Sequence, residues 1–105
     1  MIDSTEITME RNTFLNNSAC SAGGAVYVLE SVSIVVQNNK FLSNSANTLS
    51  GGGLSLMDIF DATVENNVFS DNSASMAPGD GFNAGGGMFM SLTPLGTVRN
   101  NYFVR

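Results

Sequence analysis

Histidine and tryptophan are absent from these 105 residues, cysteine occurs once, and lysine and arginine together number four. Each shortage removes a class of function. Without histidine, Cys20 cannot belong to a Cys–His nucleophile. A single cysteine makes no internal disulfide, which argues against a disulfide scaffold. Four scattered cations against nine acids, a net charge of −5, offer no patch to neutralise phosphates, so a nucleic-acid partner is not expected. No apolar run approaches the roughly 20 residues of a membrane helix. The opening "MIDSTEITMER" lacks the basic region and apolar core of a signal peptide. Helical periodicity is missing too: no 3.6-residue apolar spacing persists, and Gly-Gly pairs with frequent Asn and Ser are poor helix material. An apolar share of 43% nevertheless suits a folded chain, and the length allows one domain.

What the sequence does contain is a repeat. Phe-x-x-Asn-Ser-Ala occurs three times, headed by Phe14, Phe41 and Phe69, and Phe103 starts a fourth block. Two positions before each phenylalanine stands an asparagine: Asn12, Asn39, Asn67 and Asn101. Three positions after the first three stand Asn17, Asn44 and Asn72. A second block, "GGAVYV", "GGGLSL" and "GGGMFM", places apolar residues two apart, as a strand with one buried face does. From Val26 to Phe41, Leu54 to Phe69 and Met88 to Phe103 the distance is always 15 residues. From phenylalanine to the first glycine it is 9, 10 and then 16. One half of the repeat is held to length and the other accepts insertions.

Between the blocks lies a further short strand with Ile7 and Met9, Ile34 and Val36, Ala62 and Val64, and Gly96 and Val98 in its apolar slots. Thr8, Val35, Thr63 and Thr97 alternate with them, β-branched as an outward strand face prefers. Repeat periods of 27, 28 and 34 residues with three short strands per unit predict an all-β chain: a right-handed parallel β-helix of about three and a half coils. The coils run approximately over 7–33, 34–61 and 62–95, with a partial coil at 96–105, and the chain reads as a fragment of a longer β-helix or a truncated gene product. Equivalent positions then stack about 4.8 Å apart. Asn12, Asn39, Asn67 and Asn101 are expected to form an inward amide ladder, with Phe14, Phe41, Phe69 and Phe103 stacked beside it. Ser-Ala is expected to ease a tight turn, and Gly-Gly to supply backbone angles that a β-carbon would block.

Phe-x-x-Asn-Ser-Ala alternating with Gly-Gly-Ala/Gly-apolar, from about residue 7 to the end, resembles the repeats of the chlamydial polymorphic membrane proteins. The resemblance implies the passenger fold of an autotransported adhesin, a cell-surface, outer-membrane or secreted setting, and a host or neighbouring-cell receptor or glycan as partner, together with further coils of a parent chain. It implies no catalysis and no cofactor. The alternative is a fragment of a carbohydrate-active β-helix enzyme, a polysaccharide lyase or glycoside hydrolase. Such sites combine several Asp with Lys or Arg on one sheet face, whereas Arg11, Lys40 and Arg99 fall in unrelated slots here.

Individual residues read mostly as scaffold. Asp58, Asp61 and Glu65 are close enough in sequence for acid–base or calcium chemistry, but none recurs in the other coils, so a solvated bend is the expectation. Met88 and Met90 stand where other coils have Val and Leu, so they read as core rather than as a soft metal site with Met57 and Met76. Asn16 heads a formal glycosylation sequon at an exposed slot. The segment 75–84, "SMAPGDGFNA", breaks the repeat, and Asp80 and Phe82 within it are the candidate partner contacts. Removing Met76–Asp80 and one further residue restores the length of the preceding coil. The far-UV spectrum should be unchanged while binding to a cell surface or glycan falls. Unchanged binding would reduce the segment to decoration, and failure to fold would place it in the core.

Overall fold

A computed structural model describes residues 6–20, 23–47, 51–74 and 86–104; the segment 75–84, with Asp80 and Phe82, lies outside the described residues. Twelve strands are described, with no α-helix among these residues: β1 (Glu6–Glu10), β2 (Thr13–Leu15), β3 (Ser18–Ala19), β4 (Val26–Gln37), β5 (Lys40–Leu42), β6 (Ser45–Ala46), β7 (Leu54–Glu65), β8 (Val68–Ser70), β9 (Ser73–Ala74), β10 (Met88–Ser91), β11 (Leu95–Arg99) and β12 (Tyr102–Val104). Every pairing is parallel and joins a strand to its equivalent one repeat away. Three sheets result. The first runs β1-β4-β7 with β10 and β11 following one another along β7, the second β12-β8-β5-β2, and the third β3-β6-β9. This is a parallel β-helix.

The register is the one the repeat dictates. Phe14 pairs with Phe41, Phe41 with Phe69, and Phe69 with Phe103. Leu54 lies between Val26 and Met88, and Leu56 between Val28 and Met90. Two details of the coil differ from the expectation. The Gly-Gly strand and the β-branched strand are not separate in the middle coils but run on as the 12-residue strands β4 and β7, bent at Glu30 and Asp58. Ser-Ala does not turn the chain. It is itself a two-residue strand, and the three Ser-Ala pairs build the third sheet.

The corners belong to single residues in the left-handed region. Arg11, Asn38, Asn66 and Asn100 lie at φ 58°, 57°, 57° and 54° between the first and second sheets. Asn16, Ser43 and Asp71 do so at 57°, 55° and 55° between the second and third. Glu30, Asp58 and Leu92 bend the first sheet at 57°, 57° and 55°. Asn and Asp tolerate this region best, which accounts for the first asparagine of each Asn-Asn pair. The fourth corner needs glycine twice over. Gly51 sits at φ +63°, and a β-carbon on Gly52 would come within 2.2 Å of the Ser73 carbonyl oxygen and 2.4 Å of that of Gly86.

The interior is a column of apolar rows, with Val28, Val36, Phe41, Leu54, Leu56, Ile59, Ala62 and Val64 wholly buried. Facing rows change size in opposite senses. As Ile34 gives way to Ala62 and Gly96, the row across grows from Val28 to Leu56 and Met90. A β-carbon on Gly96 would stand 2.8 Å from Met90 Cε, so the methionine occupies the space the glycine leaves. The phenylalanine rings lie nearly parallel, with centroids 4.9, 4.7 and 4.7 Å apart. Phe41 is wholly buried between two rings, whereas Phe103 is 52% exposed with one. Phe41→Ala should therefore cost about 3–5 kcal/mol in urea unfolding, and Phe103→Ala clearly less. Equal losses would contradict the stack.

Candidate functional site

The described chemistry begins inside the column. Asn39 Nδ2 donates to Met9 O at 2.9 Å and to Asn67 Oδ1 at 3.1 Å, and the backbone N–H of Asn39 donates to the same Oδ1 at 2.9 Å. Its own Oδ1 accepts from the backbone N–H and the Nδ2 of Asn12, at 2.9 and 3.2 Å. Asn67 repeats the pattern with Val36 O and Asn101 Oδ1, and Asn101 Nδ2 reaches Val64 O. A second ladder, not assigned from the sequence, runs through Asn17, Asn44 and Asn72. Asn17 donates to Asn44 Oδ1 and Asn44 to Asn72 Oδ1, while Asn44 Nδ2 reaches Phe14 O and Asn72 Nδ2 reaches Phe41 O. Its signal was present: the asparagine of Phe-x-x-Asn-Ser-Ala recurs as faithfully as the one before the phenylalanine.

These amides are structural. Asn39, Asn44 and Asn67 are each 1% exposed, and nothing from solvent can reach them. Functional chemistry must therefore use outward positions. At the far end of the first sheet, Gln37 Nε2 donates to Glu10 Oε2 at 2.9 Å, and Arg99 Nε pairs with Glu65 Oε2 at 2.6 Å. Arg99 is largely in water although Glu65 is mostly covered, and a pair with one partner so exposed contributes modestly to stability. Glu65 is thereby separated from Asp58 and Asp61, which stand exposed near the bend of β7. Among the described residues, no group of three His, Cys, Asp or Glu side chains is placed to hold a metal ion. Met88 and Met90 pack against the core, Asn16 and Cys20 are exposed, and Lys40 sits on the second sheet.

Three outward features remain. Ser55 lies between Tyr27 and Phe89 on the outer face of the first sheet, and its fully buried Oγ has no hydrogen-bond partner. An open pocket of about 270 Å3 lined by Phe69, Asn72, Gly87, Phe103 and Val104 adjoins the last rung of the aromatic column. The bend of the first sheet carries four further exposed apolar residues, Val32, Phe60, Leu92 and Leu95.

The family described as a right-handed β-helix region matches residues 1–105. The chain belongs to this family, and the handedness expected of its parallel crossovers is the family's own. No curated protein and no solved structure matches it.

Asn39→Ala would take the side-chain acceptor from the Asn12 backbone N–H and the side-chain donor from Met9 O, and leave Asn67 Oδ1 with only the backbone N–H of residue 39, at about 1–3 kcal/mol for each buried group left unmatched. Asn44→Ala should rank with it, whereas Asn47→Ala, at an exposed side chain, should be near neutral. Thermal melts of the three variants check the order, and a neutral Asn44→Ala would remove the second ladder.

Proposed function

We propose that the chain is a structural and adhesive segment of a surface-exposed or secreted β-helix protein, of the kind the polymorphic membrane proteins exemplify, with no catalysis of its own. The observation that carries this reading is the division of labour in the coil. The residues that recur (Phe, Asn, Ala and the strand apolars) turn inward and are consumed by stacking and ladders. On the first sheet the outward rows change identity from coil to coil, as Tyr27, Ser55 and Phe89 do, or Gln37, Glu65 and Arg99. A rigid frame with a freely varied exterior suits recognition, because a preformed surface loses little conformational freedom on binding. The partners proposed are a receptor or glycan on a host or neighbouring cell and further β-helix coils of a parent chain.

The carbohydrate-enzyme alternative has less support. The net charge of −5 opposes an approaching polyuronate, and Arg99, the cation nearest the acidic residues of β7, is already paired with Glu65. Incubating the protein with cultured epithelial cells, an immobilised glycan panel and polygalacturonate separates the two readings. Saturable binding to cells or glycans with no release of reducing or unsaturated ends is expected. Time-dependent product release from the polysaccharide, without surface binding, would overturn the proposal.

A further inference from the structure

The bend of the first sheet combines features that the core does not require. Register places Val32 level with Phe60, since Ser31 pairs with Ile59 and Ser33 with Asp61. Pro94 falls at the same level, since Leu95 pairs with Asp61. The three form one outward row along the helix axis, with Val32 54% and Phe60 59% exposed. Isolated exposed apolar residues are ordinary, but here they are contiguous over three rungs, with Leu92 and Leu95 beside them at 71% and 53% exposed.

Carboxylates flank this row on both sides. Glu30 and Asp58 stand level with one another, since Leu29 pairs with Met57 and Ser31 with Ile59, and Asp61 lies on the other flank. Like charges on adjacent rungs repel, and no side-chain hydrogen bond or ion pair among the described residues engages these three carboxylates. The cations among the described residues lie elsewhere: Arg99 is paired with Glu65, Lys40 is on the second sheet, and Arg11 is at a different corner. A cation brought by a partner would therefore relieve repulsion at this bend.

We infer that the bend formed by Val32, Phe60 and Pro94, flanked by Glu30, Asp58 and Asp61, docks a cationic amphipathic α-helix of a partner protein. Spacing selects the helix. Rungs repeat about every 4.8 Å along the axis, and the apolar stripe of an α-helix returns about every 5.4 Å. A helix lying along the bend thus sets one apolar side chain per turn against one rung, staying in step over three. Lysine or arginine on either side of its stripe reaches Glu30 and Asp58 on one flank and Asp61 on the other. This names the partner class for the adhesive reading and rests on it.

The test titrates the whole chain with a synthetic leucine–lysine amphipathic helix at physiological salt, beside a peptide of the same composition with its leucines scrambled around the helix. The ordered helix should bind and the scrambled one should not. Phe60→Ser should weaken binding by about tenfold or more, as loss of a central anchor does. Asp58→Asn with Asp61→Asn should weaken it and flatten its salt dependence, and Asp71→Asn, on the second sheet's flank, should change nothing. Far-UV spectra confirm folding, and Val32→Ser supplies a second anchor variant should Phe60→Ser fail to fold. Equal binding of both peptides, or full binding by both anchor variants, would overturn the inference. So would self-association or glycan binding that Phe60→Ser abolishes, since a second copy or a sugar would then occupy the bend. Cell binding separates this inference from the reading beneath it. Cell binding that survives Phe60→Ser sinks the bend and leaves adhesion standing. Helix binding without any cell binding sinks adhesion and leaves the bend.

Discussion

The amide of Asn39 has two hydrogens and two lone pairs, and neighbouring coils use all four. On this kind of closure the rest of the molecule depends. A buried primary amide with one group unmatched is costly. A repeat that returns the same amide one rung away meets that demand indefinitely, and does so only if the coils stay in register. The ladder therefore fixes register as well as satisfying hydrogen bonds. Once register is fixed, Phe must meet Phe, Ser-Ala must meet Ser-Ala, and each left-handed corner must sit over the last.

The same constraint separates the two surfaces of the wall. Inside, a change at one row must be absorbed across the column, as Met90 fills the space over Gly96. Outside, nothing enforces identity, and the rows at the bend have drifted into Val32, Phe60 and Pro94 on one line and Glu30, Asp58 and Leu92 on another. Variation of this kind costs the fold little and gives each coil its own exterior.

This difference also decides what could be read from the sequence. The phenylalanine column and the paired apolar slots were legible because they repeat by residue type, and so was the first ladder through Asn12, Asn39, Asn67 and Asn101. The second ladder is equally repetitive, but its asparagine sits inside the Phe-x-x-Asn-Ser-Ala block, where nothing in the spacing separates a buried rung from a turn residue. Corners were harder. Asn38 and Asn66 advertise a left-handed backbone, but Glu30, Arg11 and Leu92 adopt the same angle without any local preference for it, held there by the pairing on either side. Ser-Ala looked like a turn because its residues are small, and pairing with its equivalents made it a strand. The docking bend had no repeated signature at all. It exists only once register sets Phe60 beside Val32, and the aromatic singled out from the sequence was Phe82 instead.

The account is tested most directly by hydrogen exchange of the asparagine side-chain amides, resolved by NMR. In the consecutive pairs Asn38–Asn39 and Asn66–Asn67, the first member is an exposed corner and the second a buried rung. The carboxamide protons of Asn39 and Asn67, with those of Asn44, should be strongly protected, while those of Asn38, Asn66 and Asn16 exchange freely. Equal, rapid exchange within each pair would contradict the ladder and the fold built on it.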